Sequence, residues 1–225
     1  MLDFLLAFTL LLGMPAYALL RGNSTGQAPV NRRNRYRKSM AIIAVFLTIL
    51  LVDWVSNSRG FTQIGLAAPT TRSAIAGCLV AVFVAIILFL ARSTNSNLQN
   101  AAKPDDQADT ILPESRDELR TFVMFAIVAG FGWEVLYRGF LLFWLSPIIG
   151  LVPAVAASST AYGLSHGCKT MMQTTGSLVS ALLFTTGYAA TGSLWWLIIL
   201  HIALPLAGML ALSRMERTVV SDRSG

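Results

Sequence analysis

The sequence predicts an all-α fold, a polytopic bundle of about seven transmembrane helices. Three observations predict it. Of the 225 residues, 55% are hydrophobic and only 12% are charged, about half the charge of a soluble domain. The mean hydropathy is +0.63. Apolar stretches long enough to cross about 30 Å of hydrocarbon recur along the chain. A soluble core cannot absorb that much apolar sequence, and lipid can.

The first stretch, about 2–20 (LDFLLAFTLLLGMPAYALL), carries Asp3 where a secretory leader carries its basic region. It runs into Arg21 without a small-residue cleavage site, so it reads as a retained span. Spans two and three are about 39–56 and 73–91. Residues 92–119 are polar, charged and proline-containing, which reads as a solvated loop. The fourth span, about 120–145, contains GFGWEVLYRGFLLFWL. The fifth is about 147–166 and the sixth, interrupted by glycines and threonines, about 175–192. The seventh is about 194–213. No internal repeat divides them.

Basic residues set the expected orientation. With the N-terminus outside, fourteen of the seventeen Lys and Arg residues fall on the cytoplasmic side, among them Arg32, Arg33, Arg35, Arg37, Lys38, Lys169 and Arg214. Only Arg59 and Arg72 fall outside, and Arg138 lies within a span. The net charge of +6 and pI near 9.8 are then explained by anionic lipid headgroups. Nucleic acid is not needed as a partner. The two cysteines, Cys78 and Cys168, are far apart and form neither a disulfide framework nor a metal knuckle. Short loops and small size point to a prokaryotic plasma (inner) membrane.

Ionisable residues inside spans carry the functional signal. Glu134 and Arg138 are four apart in span four, so they share a helix face. His166 ends span five, and His201 sits in the middle of span seven. They are the only two histidines in the chain. Asp53 lies near the outer end of span two and reads as structural. A charge at the centre of a span costs roughly 2.5–3.5 kcal/mol on insertion scales, so such groups face the bundle interior and find partners. Each residue alone admits a packing role: a self-neutralising Glu–Arg pair, or a satisfied histidine. Gathered in three separate spans, they point to a site.

These residues sit in three motifs. GWEVLYRGFLL resembles the Glu-Glu-x-x-x-Arg motif of the type II CAAX prenyl protease and bacteriocin-processing family of intramembrane glutamic proteases. AYGLSHG looks like its second motif, with Tyr162 in the aromatic place and His166 as the histidine. ATGSLWWLIILHIALPL resembles its third, a histidine followed four residues later by Asn or Asp. TQIGLAAP and ILPESRDEL are similar to its connecting segments. The likeness covers about 61–210. It divides the chain into an N-terminal pair with a basic loop (1–60), a CAAX-protease-like membrane domain (61–214) and a cytoplasmic tail (215–225).

The resemblance implies an endopeptidase with a cavity open to the cytoplasm, cleaving a membrane-associated peptide or lipidated protein by activated water. It assigns catalysis to Glu134, His166 and His201, with Arg138 and Tyr162 in support. Glu134 and His166 would activate the water, and His201 would serve the oxyanion. No cofactor is implied, although Glu134, His166 and His201 also form an acceptable zinc ligand set. That alternative ranks second because no HExxH helix is present. Two positions depart from the pattern. Trp133 stands where the first, water-activating glutamate belongs, so Glu134 matches the second. Pro205 stands where Asn or Asp belongs. Adjacent helical residues point about 100° apart, so Glu134 replaces residue 133 only if the helix is locally rewound, as a π-bulge would do. An inactive relative that binds a peptide or serves immunity is the alternative reading. A proton-relay transporter is a third.

Overall fold

The computed structural model describes residues 1–22, 31–93, 113, 115–167 and 171–223. Most of the 92–119 loop, Cys168 and Lys169 lie outside the described residues. Among the described residues the secondary structure is helical and contains no strand. In chain order the long helices are α1 (2–22), α2 (Arg32–Ser56), α3 (Thr71–Ser93), α4 (116–149), α5 (Leu151–Ser165), α6 (Met171–Thr191) and α7 (Trp195–Arg223). Each coincides with one expected span. Helix α7 continues through most of the stretch expected to be a tail.

Length and composition qualify three of these helices to cross a membrane: Leu2–Leu20, Arg32–Ser56 and Asp117–Ile149. Thr71–Phe83 and Trp195–Met209 are shorter apolar helical stretches. Helix α5 has only 15 residues, and Gln173, Thr174, Thr175 and Ser177 dilute the start of α6. An outer coat of apolar side chains, including Phe4, Phe8, Val45, Leu51, Leu79, Phe83 and Leu183, matches a lipid environment. The chain is an integral membrane protein.

Local sequence explains how the elements start and meet. Asn31 caps α2 by accepting from the Asn34 amide at 3.1 Å. Ser115 caps α4 by accepting from the Glu118 amide at 3.2 Å, and Asp117 and Glu118 add acidic charge to the first turn. Tyr36, Ile43 and Leu50, seven residues apart, form the inward stripe of α2. Gly132 lets α2 and α4 approach, because a Cβ there would collide with Ile43. Gly130 does the same for α7, since its Cβ would lie 2.6 Å from Ile202 and 3.4 Å from the His201 backbone. That close approach brings His201 to α4.

At the other end, Arg59 binds Asp3 at 2.6 Å and Asp53 at 3.1 Å. It also lies over the rings of Trp54 and Phe143. Its bond to Asp3 holds the guanidinium still further toward its charged form. The network ties α1 to α2 and gives both Asp3 and Asp53 a partner.

The segment joining α2 and α3 packs inward. Ile64 is buried, the Leu194 amide donates to Gly65 O at 2.9 Å, and Trp195 Nε1 donates to Ala67 O at 2.8 Å. Gly65 has φ +78°, and a Cβ there would lie 2.5 Å from the Tyr188 ring. Gly65→Ala therefore meets both left-handed strain and a clash. We expect it to cost about 2–4 kcal/mol, visible as a lower melting temperature in detergent.

Candidate active site

The middle of α4 is not α-helical. Residues Glu134–Leu141 form a π-helix, and all eight are buried. Such a segment turns less per residue than an α-helix and so re-aims the side chains beyond it. It begins at Glu134, the position where the sequence requires a local rewinding. Helix α5 supports it: Ser158, fully buried, donates to the Tyr137 carbonyl at 2.8 Å.

Helix α1 supports it too, by way of a second π-turn at Thr9–Gly13. There the Met14 amide bonds to Thr9 O, five residues back. Pro15 has no N–H to continue that pattern, which leaves the Leu10 carbonyl open. The Tyr137 hydroxyl donates to it at 3.1 Å.

Glu134 and Arg138 are each 1% exposed. Arg138 Nη1 donates to Glu134 Oε1 at 2.7 Å. His201 Nδ1 lies 2.8 Å from the same oxygen. As the anionic half of an ion pair the carboxylate only accepts, so His201 carries its proton on Nδ1. Its Nε2 is then an acceptor when the ring is neutral. Glu134 Oε2 is buried and, among the described residues, has no partner. The Arg138 guanidinium lies 4.3 Å over the Tyr162 ring and 6.0 Å from the Phe184 ring. Those faces partly compensate its Nε and Nη2, which also lack partners among the described residues.

His166 caps the end of α5, where Gly167 takes φ +88°. Its Nδ1 lies 2.9 Å from the Tyr162 carbonyl. A carbonyl only accepts, so this ring too carries its proton on Nδ1 and leaves Nε2 free. Glu134, Tyr162, His166 and His201 line one cavity of about 180 Å³. Ser177, Ser180, Phe184 and leucines of α7 complete its wall. The structure thus gathers all four of these expected site residues. Arg138 stands behind Glu134 and is absent from the lining. His166 is exposed and makes no hydrogen bond to Glu134.

The two departures from the motif fall differently. Trp133 packs on Tyr137 with ring centroids 5.9 Å apart and lies outside the cavity lining. Pro205 lies in that lining, where it offers no donor. It also removes the amide that would bond to the His201 carbonyl in the helix. Ser158 and Tyr137 were not picked out by sequence pattern, whereas Gly130, Gly132 and Gly139 were legible as residues that permit a local rewinding. The small polar residues of α5 were the signal available for Ser158. Among the described residues no group of three or more His, Cys, Asp or Glu side chains is arranged to hold a metal ion.

Fold and site define an all-helical membrane protein with a buried glutamate–arginine–histidine cluster opening on one cavity. Residues 115–207 match the family model described as type II CAAX prenyl endopeptidase Rce1-like. The family resemblance of the three motifs is therefore shown for the segment that carries the site. Comparisons with curated proteins and with solved structures give no significant match.

Proposed function

We propose that the chain is an intramembrane endopeptidase that cleaves a membrane-associated peptide or lipidated protein by activated water. The observation that carries this reading is the state of Glu134. It lines the cavity, is 1% exposed, and keeps one oxygen without a partner among the described residues while the other is fixed by Arg138 and His201. A water bound at Oε2 loses its proton to that oxygen as its hydroxide attacks the scissile carbonyl. The C=O electron pair moves onto oxygen; it then returns to re-form C=O as the C–N pair leaves on nitrogen, which takes its proton from Glu134. His166, with Nε2 free, is the second acceptor that orders the water. Arg138 and Tyr162 hold these groups in place. In this reading all seven helices cross a prokaryotic inner membrane, with the N-terminus outside and the C-terminus cytoplasmic. Residues 61–214 act as the working domain.

The test is cleavage of a vesicle-tethered, prenylated peptide by the purified chain, followed by mass spectrometry. We expect cleavage that His166→Ala reduces about 10²–10⁴-fold and that zinc chelators leave unchanged. Loss of cleavage on chelation, with recovery on adding zinc, would replace this mechanism with the metal reading. Trp133 and Pro205 favour a second reading, an inactive relative that binds a membrane peptide. Wild type that captures the probe peptide but leaves it intact would establish that reading instead.

A further inference from the structure

The oxyanion formed at the scissile carbonyl needs a hydrogen-bond donor, and the cavity offers few. Pro205 has none. His201, when its ring is neutral, commits its one N–H to Glu134 through Nδ1, at 2.8 Å, and its Nε2 then only accepts. His166 is in the same position, with Nδ1 bound to the Tyr162 carbonyl at 2.9 Å. Ser180 donates to Gly176 O at 2.6 Å, and no hydrogen bond joins Ser177 to the glutamate or to either histidine.

Tyr162 is the lining donor whose hydroxyl faces His201, the partner of Glu134. Its hydroxyl lies 3.3 Å from both ring nitrogens of His201; with Nδ1 donating to Glu134, Nε2 is its acceptor, and a bond that long yields readily to a substrate oxygen. Its ring is fixed on three sides. Arg138 lies over one face at 4.3 Å, and Tyr137 and His166 meet it edge-on with centroids 5.1 and 4.5 Å away.

We infer that the Tyr162 hydroxyl is a catalytic residue: it donates the hydrogen bond that stabilises the oxyanion, replacing the side-chain amide or acid missing at Pro205. The inference rests on the proteolytic reading above. The proton stays on tyrosine throughout, and the hydroxyl only shortens its bond as charge builds on the substrate oxygen. A rigid donor in a water-poor cavity acts most strongly on the charged state and little on the bound peptide.

Tyr162→Phe keeps the ring and its three contacts and removes only the donor. Measured on the prenylated vesicle peptide with the full chain, it should lower kcat about 10²–10³-fold with KM and melting temperature unchanged. Tyr162→Phe/Pro205→Asn, which puts an amide into the lining, should recover at least tenfold of that loss. Unchanged kcat in Tyr162→Phe would overturn the assignment while leaving the protease reading intact. So would a loss that appears equally in melting temperature and is not recovered by Pro205→Asn. Wild type that cleaves nothing would remove the reading itself, and this role with it.

Discussion

Glu134→Gln is expected to lower peptide cleavage about 10³-fold, within the range that a general base contributes, and to leave the bundle folded. The substitution is close to isosteric. Its single carbonyl oxygen can still accept from Arg138 Nη1 and His201 Nδ1, as Oε1 does now at 2.7 and 2.8 Å. The lost group is the second oxygen, the one that has no partner among the described residues. An amide nitrogen there cannot take a proton from water. The loss should fall on kcat, because the apolar wall that holds the substrate is untouched. Glu134→Gln activity within a few-fold of wild type, on a substrate that wild type cleaves, would exclude Glu134 as the base. Glu134→Ala is a poorer probe. It leaves Arg138 buried without its counterion, so lost activity and lost fold would be entangled.

The geometry explains why Trp133 and Glu134 can appear in this order. In an uninterrupted α-helix a substitution at the first position of the motif would leave only the wrong face charged. Here the helix is rewound from Glu134 onward, and Gly130 and Gly132 bring α7 and α2 against the preceding turn. The carboxylate therefore meets His201 across the interface between α4 and α7. The rewinding is held from outside by Ser158 and by Tyr137, whose hydroxyl answers the carbonyl left open beside Pro15.

Much of this was legible in the sequence, for identifiable reasons. Apolar runs place helices directly, and all seven expected stretches are helical. Motif residues separated by three or four share a face, so the Glu134–Arg138 pair followed from spacing alone. The three-dimensional partners were less legible. Which histidine contacts Glu134 depends on how closely two helices approach, and that rests on Gly130, a residue with no chemistry of its own. Spacing named both histidines but not which one bonds the carboxylate: Glu134 binds His201, while His166 turns its Nδ1 to its own helix. The roles of Ser158 and Leu10 depend on carbonyls released by π-turns, which hydrophobic pattern does not record. Membrane crossings are less legible than helices. Length and apolarity qualify three of the seven, because α5 is short and α6 is rich in threonine, serine and glycine.

Arg138→Ala should be the most destabilising single change at the site, costing about 3–5 kcal/mol, the range for breaking a buried ion pair by removing one partner. The arginine and its glutamate are both 1% exposed, so no solvent takes over the charge left on Glu134. The void beneath Tyr162 and Phe184 adds to the cost. Arg138→Lys should fall in between: it keeps the charge but loses the planar group that lies over the Tyr162 ring. Removing both charges, as Glu134→Gln/Arg138→Met, should recover much of the stability of Arg138→Ala without any activity, because no uncompensated ion remains. Melting temperatures in one detergent separate the three variants. Arg138→Ala as stable and as active as wild type would mean that the ion pair neither supports the bundle nor holds Glu134 for its task. The double variant shows why the pair persists despite its desolvation. An apolar replacement can keep this bundle folded, but only the ion pair keeps a charged carboxylate here, with one oxygen held by Arg138 and His201 and the other without a partner among the described residues.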